Sequence, residues 1–320
     1  MGSRPPQRSA RLAGLLERST RVVSPAAGDA GVVISSIEYN SAGIVPGSLF
    51  VAIEGTQSDG HSYVRDAVAR GASAVVVSAA RAAEFGDLAG KAAVLASPDT
   101  RRALSALSSA FFGAPSSGML VIGVTGTNGK TSITYMLESI LKEAGREVGV
   151  IGTINYRWKG GEVPAPNTTP ESRDVQAMVR AMADDGVDAL VMEVSSHGLK
   201  LGRVDDVEFD AGIFTNLTRD HLDFHLTFED YFASKLLLFD LVGRSGKGRR
   251  AGIVNCDDEY GRTILRGRGE RPYPLFGFGL SEDADYRPEV SSIHNSIEGV
   301  RYTLESPAPG AVIDLRVAGG

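Results

Sequence analysis

The chain has 320 residues and a formal net charge of −6, so it offers material for two domains and lacks the basic surplus of a nucleic-acid binder. Its single cysteine, Cys256, excludes an internal disulfide, and no apolar run approaches the roughly 20 residues that cross a bilayer. The N-terminal residues MGSRPPQRSARL are basic with no apolar core behind them, so no signal peptide is read and a cytoplasmic protein is expected.

Arg8 to Arg18 has Leu12, Leu15 and Leu16 on one face and is predicted to be an amphipathic helix. Val32 to Tyr39 and Leu49 to Ile53 read as strands around the turn-rich stretch NSAGIVPGS. Ser62 to Arg70 reads as a helix closed by Gly71, and Ala74 to Val77 and Ala92 to Leu95 as buried strands. Asp99 then caps a helix running to about Phe112. This alternation predicts a small α/β domain. The breaker residues Gly113 to Gly118, GAPSSG, place a boundary there, giving domains 1–115 and 116–320.

Met119 to Thr131, MLVIGVTGTNGKT, is the most informative stretch of the chain. An apolar strand enters a glycine-rich turn and leaves as a helix near Lys130. It is read as the phosphate-loop pattern G-x-x-x-x-G-K-[ST], with Gly123, Gly129, Lys130 and Thr131 as fixed positions. In such a loop successive backbone N–H groups wrap a phosphate chain, and the helix points its positive end at the same anion. Lys130 is then expected to reach the outer phosphates and the Thr131 hydroxyl to hold magnesium.

Beyond the loop, Thr131 to Glu143 is predicted helix and Val148 to Ile151 strand. The long polar stretch Gly152 to Arg173 holds possible hairpin strands around Ile154 to Trp158; a loop this long is usually functional. Helices are expected over Glu171 to Ala183 and Thr227 to Leu241, and strands over Ala189 to Val194, Ala211 to Thr215 and Ala251 to Asn255. This is the pattern of a parallel, doubly wound nucleotide-binding sheet. From Tyr273 the pattern changes to short alternating strands, such as Val300 to Glu305 and Val312 to Val317.

Three polar residues follow the phosphate loop, Glu193 and His221 at or just past expected strand ends, where open α/β sheets place ligands, and Lys235 in a predicted helix. Glu193 ends LVMEV and suits a magnesium ligand or a structural ion pair. His221 sits in TNLTRDHLDFH among Asp220, Asp223 and His225. Lys235, in YFASKLLLFD, reads from local sequence as a snorkelling surface lysine.

In this order and spacing, GVTGTNGKTS, NTTP, MEVSSHGL, FTNLTRDHLDFH and YFASKLLLF resemble the Mur ligases of bacterial cell-wall synthesis, strongly from Gly118 to Asn255 and more weakly before. The resemblance implies a small N-terminal α/β UDP-binding domain followed by a P-loop-type ATP-binding domain. It assigns Gly126, Thr127, Asn128, Gly129, Lys130, Thr131 and Ser132 to ATP, and Glu193 and His221 to magnesium. It makes Lys235 a carbamylated lysine that also binds magnesium, reversing the local reading. Asn167, Thr168, Thr169, Ser195 and Arg203 match residues that hold the muramoyl peptide. Ser41 stands as a uridine-site hydroxyl, and Thr56, Gln57 and Ser58 as further UDP contacts; the family's acid and arginine flanking Ser41 are here Asn40 and Ala42.

NTTP with EVSSHGL is most similar to the family member that joins a third amino acid, lysine or meso-diaminopimelate, to UDP-N-acetylmuramoyl-L-alanyl-D-glutamate. ATP would phosphorylate the D-glutamate carboxylate, and the incoming amine would attack the acyl phosphate. A monomer is expected. The family's third domain and its Asp-Asn-Pro-Arg amino-acid selector have no counterpart in the sequence, so a truncated form with little activity is expected. The competing readings are a sibling ligase, a folylpolyglutamate synthase, or a non-catalytic module binding a UDP-sugar and ATP. A GTPase switch is disfavoured because no N-K-x-D motif occurs.

Overall fold

Two groups of apolar strand sequence, one before and one after Gly118, seed two sheets. The computed structural model describes residues 8–20, 22–55, 58–218 and 224–316. Within them β1 (Ala10–Arg11) pairs antiparallel with β3 (Val33–Ile34) beside helix α1 (Leu12–Glu17). The predicted helix from Arg8 is therefore shorter: Ala10 and Arg11 are extended and pair with the β3 backbone. The buried face of α1 is the expected Leu12, Leu15 and Leu16.

The first main sheet contains β2 (Ser24–Ala27), β4 (Ser36–Glu38), β5 (Ser48–Val51), β6 (Ala74–Ser78) and β7 (Ala93–Ser97), in the order β2-β7-β6-β5-β4. All pairs are parallel except β2 with β7. The expected single strand Val32 to Tyr39 is split at Ser35, whose amide donates to the Gly47 carbonyl instead of continuing a ladder. Helix α2 (Val64–Ala69) follows a short 3-10 turn, Gly60–Tyr63. Helix α3 (Thr100–Phe112) begins where Asp99 accepts from the Arg101 and Arg102 amides and stops at Gly113, φ +79°. The 3-10 turn Pro115–Gly118 leads into the second sheet.

That sheet is built from β8 (Leu120–Thr125), β9 (Val148–Ile151), β10 (Asn155–Trp158), β11 (Gly161–Pro164), β12 (Ala189–Glu193), β13 (Ala211–Phe214), β14 (Ala251–Asn255) and β15 (Leu275–Phe278). Their order is β11-β10-β9-β12-β8-β13-β14-β15; β10 and β11 form an antiparallel hairpin at the edge and the other strands run parallel. Helix α4 (Lys130–Glu143) packs Ile133, Leu137 and Leu141 on one face, over Val124, Val150 and Val191. On the other face lie α5 (Ser172–Asp184) and α7 (Phe228–Arg244), with Val175, Val179 and Leu238 against Val121, Leu190 and Met192. Each such fully buried aliphatic contributes about 1.5–3 kcal/mol. Helices on both faces make the central strands read as continuous apolar runs.

After the phosphate loop, three elements depart from the sequence expectation. The five-residue helix α6 (Ser196–Lys200) lies in a segment read as loop. Helix α8 (Glu259–Arg266), capped by Asp258, lies between the last two parallel strands. And β15 is the edge strand of the parallel sheet rather than the start of a new pattern, since its backbone pairs with β14 from Gly252 to Asn255. The alternating strands do follow, as β16 (Arg287–Pro288), β17 (His294–Ser296), β18 (Gly299–Ser306) and β19 (Val312–Arg316) in a small antiparallel sheet. Among the described residues no helix is long and apolar enough to cross a membrane.

Candidate phosphate-loop and substrate site

The C-terminal ends of β8, β12 and β13 meet at the glycine loop 126–129. Five residues, not four, separate Gly123 from Gly129, so the spacing assumed for the phosphate loop is one residue short. Gly123 belongs to β8 instead, where a Cβ would lie 2.8 Å from the Phe209 ring and 2.9 Å from Leu238. The loop glycines are Gly126, at φ +142°, and Gly129, at φ +84°. A Cβ on Gly126 would stand 1.9 Å from Thr215 Oγ1, so both the backbone and the space require glycine.

The loop is fastened to the segment after β13. Thr127 N donates to the Asn216 carbonyl at 2.9 Å and Asn128 N to Asn216 Oδ1 at 3.0 Å. Thr215 Oγ1 donates to the Asn128 carbonyl at 2.6 Å. Thr127 Oγ1 shares a hydrogen bond with the Tyr231 hydroxyl at 3.1 Å. These bonds fix the shape of the loop and use the Thr127 and Asn128 amides to do so, leaving the start of the following helix as the end that faces an anion. Gly129, Lys130 and Thr131 open α4, so the helix N-terminus faces the same space. Ser132 is exposed on its first turn.

Lys130 Nζ donates to the carbonyls of Gly126 and Thr127, at 2.9 and 2.8 Å. Lys235 Nζ donates to the same Gly126 carbonyl at 2.8 Å and lies 4.4 Å from the centre of the Tyr231 ring. Lys235 is 2% exposed, so the local expectation of a surface lysine is wrong and the one drawn from the resemblance is right about its burial. The sequence around it could not distinguish the two, because Gly126 is 109 residues away.

Glu193, at the end of β12, is 1% exposed. Its Oε1 accepts from Thr131 Oγ1 at 2.9 Å and Thr153 N at 3.0 Å, and its Oε2 from Thr153 Oγ1 at 2.9 Å. The carboxylate therefore meets hydroxyls and an amide in the phosphate-loop cleft. Thr153 is a site residue that sequence reasoning missed; its position in the long polar stretch was the available signal. A carboxylate and a hydroxyl side by side are hard oxygen donors of the kind magnesium takes. Among the described residues no three His, Cys, Asp or Glu come together as a metal cluster. His221, with Asp220 and Asp223, lies outside the described residues, as do Thr56 and Gln57.

Most of the expected muramoyl-peptide residues converge on Glu193. Thr168 Oγ1 shares a hydrogen bond with Thr153 Oγ1 at 3.1 Å. Thr169 Oγ1 donates to the Glu193 carbonyl and accepts from Ser195 N, both at 3.0 Å. Ser195 caps α6 through Gly198 N, and Arg203 Nη1 donates to the Thr169 carbonyl at 2.9 Å. Asn167 is exposed, its carbonyl held by the buried Tyr156 hydroxyl. Ser41 opens a 3-10 turn whose cap is Asn40, and Ser58 is exposed; neither is hydrogen-bonded to the cluster.

His225 is fully buried beside this cluster, with Nε2 2.9 Å from Ser196 Oγ and Nδ1 3.3 Å from Asp230 Oδ2. Burial holds its pKa below the usual histidine range, against the opposing pull of the Asp230 carboxylate.

Comparison with known proteins bears on the family and the fold. A model described as the Mur ligase middle domain matches residues 124–320, well over half the chain, and one described as the Mur ligase family catalytic domain matches residues 33–112. The UDP-N-acetylmuramoyl-L-alanyl-D-glutamate–2,6-diaminopimelate ligase of Geobacter sulfurreducens is 43% identical over 296 residues, covering 91% of this chain and 56% of that protein. The Clostridium tetani enzyme of the same name is 38% identical over 292 residues, with 91% and 57% covered. The chain thus spans little more than half the length of these curated relatives. A solved ligase of that name superposes with a TM-score of 0.72 at 23% identity, covering 88% of this chain and 55% of the other. The MurF ligase of Thermotoga maritima, solved with ADP, gives a TM-score of 0.55 at 19% identity, with 89% and 58% covered; both similarities are of fold. On the match to the middle-domain model, which covers more than half of its residues, the chain belongs to the Mur ligase family.

Proposed function

We propose that this chain binds UDP-N-acetylmuramoyl-L-alanyl-D-glutamate and ATP, and serves the ligation that adds 2,6-diaminopimelate to that dipeptide. The observation that carries the reading is the junction at Glu193. One carboxylate there receives the phosphate-loop hydroxyl of Thr131 and, through Thr153, the NTTP segment at Thr168. A phosphoryl donor and a muramoyl acceptor would so be brought to one point, which is the main requirement of acyl-phosphate formation. The names of relatives up to 43% identical supply the choice of diaminopimelate over lysine.

In this reading residues 1–115 take the UDP end, through Ser41, Thr56, Gln57 and Ser58, and residues 116–320 take ATP. The D-glutamate carboxylate attacks the γ-phosphorus and ADP leaves. The amine of the incoming amino acid then attacks the acyl carbon and phosphate leaves, forming the amide. The amides of residues 129–131 hold the phosphates, and Lys130 turns from its own loop carbonyls to neutralise charge on the transferring group. Thr131, Glu193, His221 and carbamylated Lys235 are the residues that would hold magnesium, which supplies charge neutralisation at the phosphates. Carbamylation is chemically reasonable at Lys235: the residue is 2% exposed, and its amine in the neutral form can add to carbon dioxide, lose a proton and become an anion that would bind magnesium. The protein is expected to work in the cytoplasm, where ATP is, and as a monomer.

The test is ADP release with ATP, magnesium, bicarbonate and diaminopimelate, with and without the dipeptide substrate. Dipeptide-dependent release, however slow, is expected; release at the same rate without dipeptide contradicts the reading.

A further inference from the structure

Glu171 occupies the position before the first residue of α5, where Ser, Thr, Asp and Asn are favoured because they cap the helix. Its backbone is extended, at φ −62° and ψ 151°, yet its side chain makes no capping bond. The carboxylate is directed elsewhere. Arg203 Nε lies 2.8 Å from Glu171 Oε1, and Arg101 Nη1 is 3.3 and 3.4 Å from the two carboxylate oxygens. All three side chains are largely buried, at 15–19% exposure. The helix gives up a cap to place one anion between two arginines.

Those arginines come from different sheets' surroundings. Arg203 belongs to the central unit and is bound through Nη1 to the Thr169 carbonyl of NTTP. Arg101 is on α3 of the first unit, and its Nη2 donates to the Glu54 carbonyl at 3.1 Å. The Arg203 guanidinium is thus held by one hydrogen bond, Nη1 to the Thr169 carbonyl, and by an ion pair in which Nε approaches Glu171 without hydrogen-bond geometry. Its Nη2 makes no hydrogen bond among the described residues. A planar fork pinned this way presents its remaining N–H groups in one direction, the geometry that recognises a carboxylate.

We propose that Glu171 is a positioning residue: held on its other side by Arg101, it aims Arg203 at the D-glutamate portion of the muramoyl dipeptide. The inference rests on the function proposed above and deepens it. It makes the discrimination between dipeptide and shorter substrates a property of the Arg101–Glu171–Arg203 triplet. Neutralising Glu171 frees both arginines, so recognition of the terminal residue weakens while recognition of the UDP end persists.

The experiment is calorimetric titration of the whole chain and of Glu171→Gln with two ligands, UDP-N-acetylmuramoyl-L-alanyl-D-glutamate and UDP-N-acetylmuramoyl-L-alanine. The unaltered chain is expected to prefer the dipeptide form. In Glu171→Gln that preference should fall by about 10-fold, the scale of one charge-assisted hydrogen bond, with affinity for the shorter ligand unchanged. Equal weakening for both ligands would mean a merely structural role and would overturn the proposal, as would a retained preference. Arg101→Gln, which releases Glu171 from the other side, should reduce the preference in the same sense and serves if Glu171→Gln does not fold. If the unaltered chain shows no preference, the proposed function itself falls, which is a distinct result.

Discussion

Lys130 and Lys235 both donate to the carbonyl oxygen of Gly126, at 2.9 and 2.8 Å. One comes from the first turn of the phosphate-loop helix, the other from the middle of α7, and the second is 2% exposed. The turn at Gly126 is thereby held by two lysine side chains. Were Lys235 carbamylated, as proposed above, this would become a cation–anion pair. Incubation with 13C-labelled bicarbonate should give a carbamate resonance that is missing in Lys235→Ala. A spectrum identical for the two proteins would rule out modification at this lysine.

Gly126→Ala should be among the most damaging single-methyl changes in the molecule. The φ of +142° alone costs about 1–3 kcal/mol for a residue with a side chain. The added Cβ would also stand 1.9 Å from Thr215 Oγ1 and separate the loop from the segment that fastens it. Thermal melting should show a drop of several degrees and calorimetry a loss of ATP binding. Wild-type melting and ATP affinity would show that the loop does not depend on this turn.

Glu193→Gln separates charge from shape. The amide can keep an acceptor toward Thr131 and Thr153 N, and Thr153 Oγ1 can reverse its bond, so stability should fall by no more than about 1 kcal/mol. The magnesium dependence of ATP binding should disappear, because a neutral amide is a poor ligand for a hard cation. Undiminished magnesium dependence in this variant would remove Glu193 from the metal site.

His225 gives a pH dependence with a defined sign. Its folded pKa lies below the unfolded value because burial disfavours the imidazolium. In the window between the two values the unfolded chain binds more protons than the folded one. The contribution is therefore complete above about pH 6.5 and is lost as pH falls toward the folded pKa. The melting temperature should drop from pH 7.5 to 5.5, and His225→Gln, which keeps a polar contact for Ser196, should flatten that part of the profile. An unchanged slope in the variant would assign the effect to other groups.

What the sequence made legible has a common character: signals confined to one short stretch. The turn at Gly126 and Gly129, the buried strand ending at Glu193 and the Asp99 cap are each local and were readable. Helix α6 was not, because five residues give no periodicity and only the Ser195 cap marks it. Strand β2 includes Pro25 and is mostly exposed at the sheet edge, so it carries no alternation. Helix α8 had a readable cap in Asp258 and apolar residues at Tyr260, Ile264 and Leu265, and was missed despite them. The burial of Lys235 and the double engagement of Glu171 depend on partners 109, 70 and 32 residues away, which no local pattern encodes. The resemblance located Lys235; only the folded arrangement showed Thr153 and Glu171.

The most direct measurement of the central claim is calorimetric titration of this chain with UDP-N-acetylmuramoyl-L-alanyl-D-glutamate, against UDP-N-acetylmuramoyl-L-alanine as control. Clear preference for the dipeptide form is expected, since Thr168, Thr169, Ser195 and Arg203 gather at one end of the second sheet. Equal affinity for the two, or binding of neither, would contradict the assignment of this site to the muramoyl dipeptide.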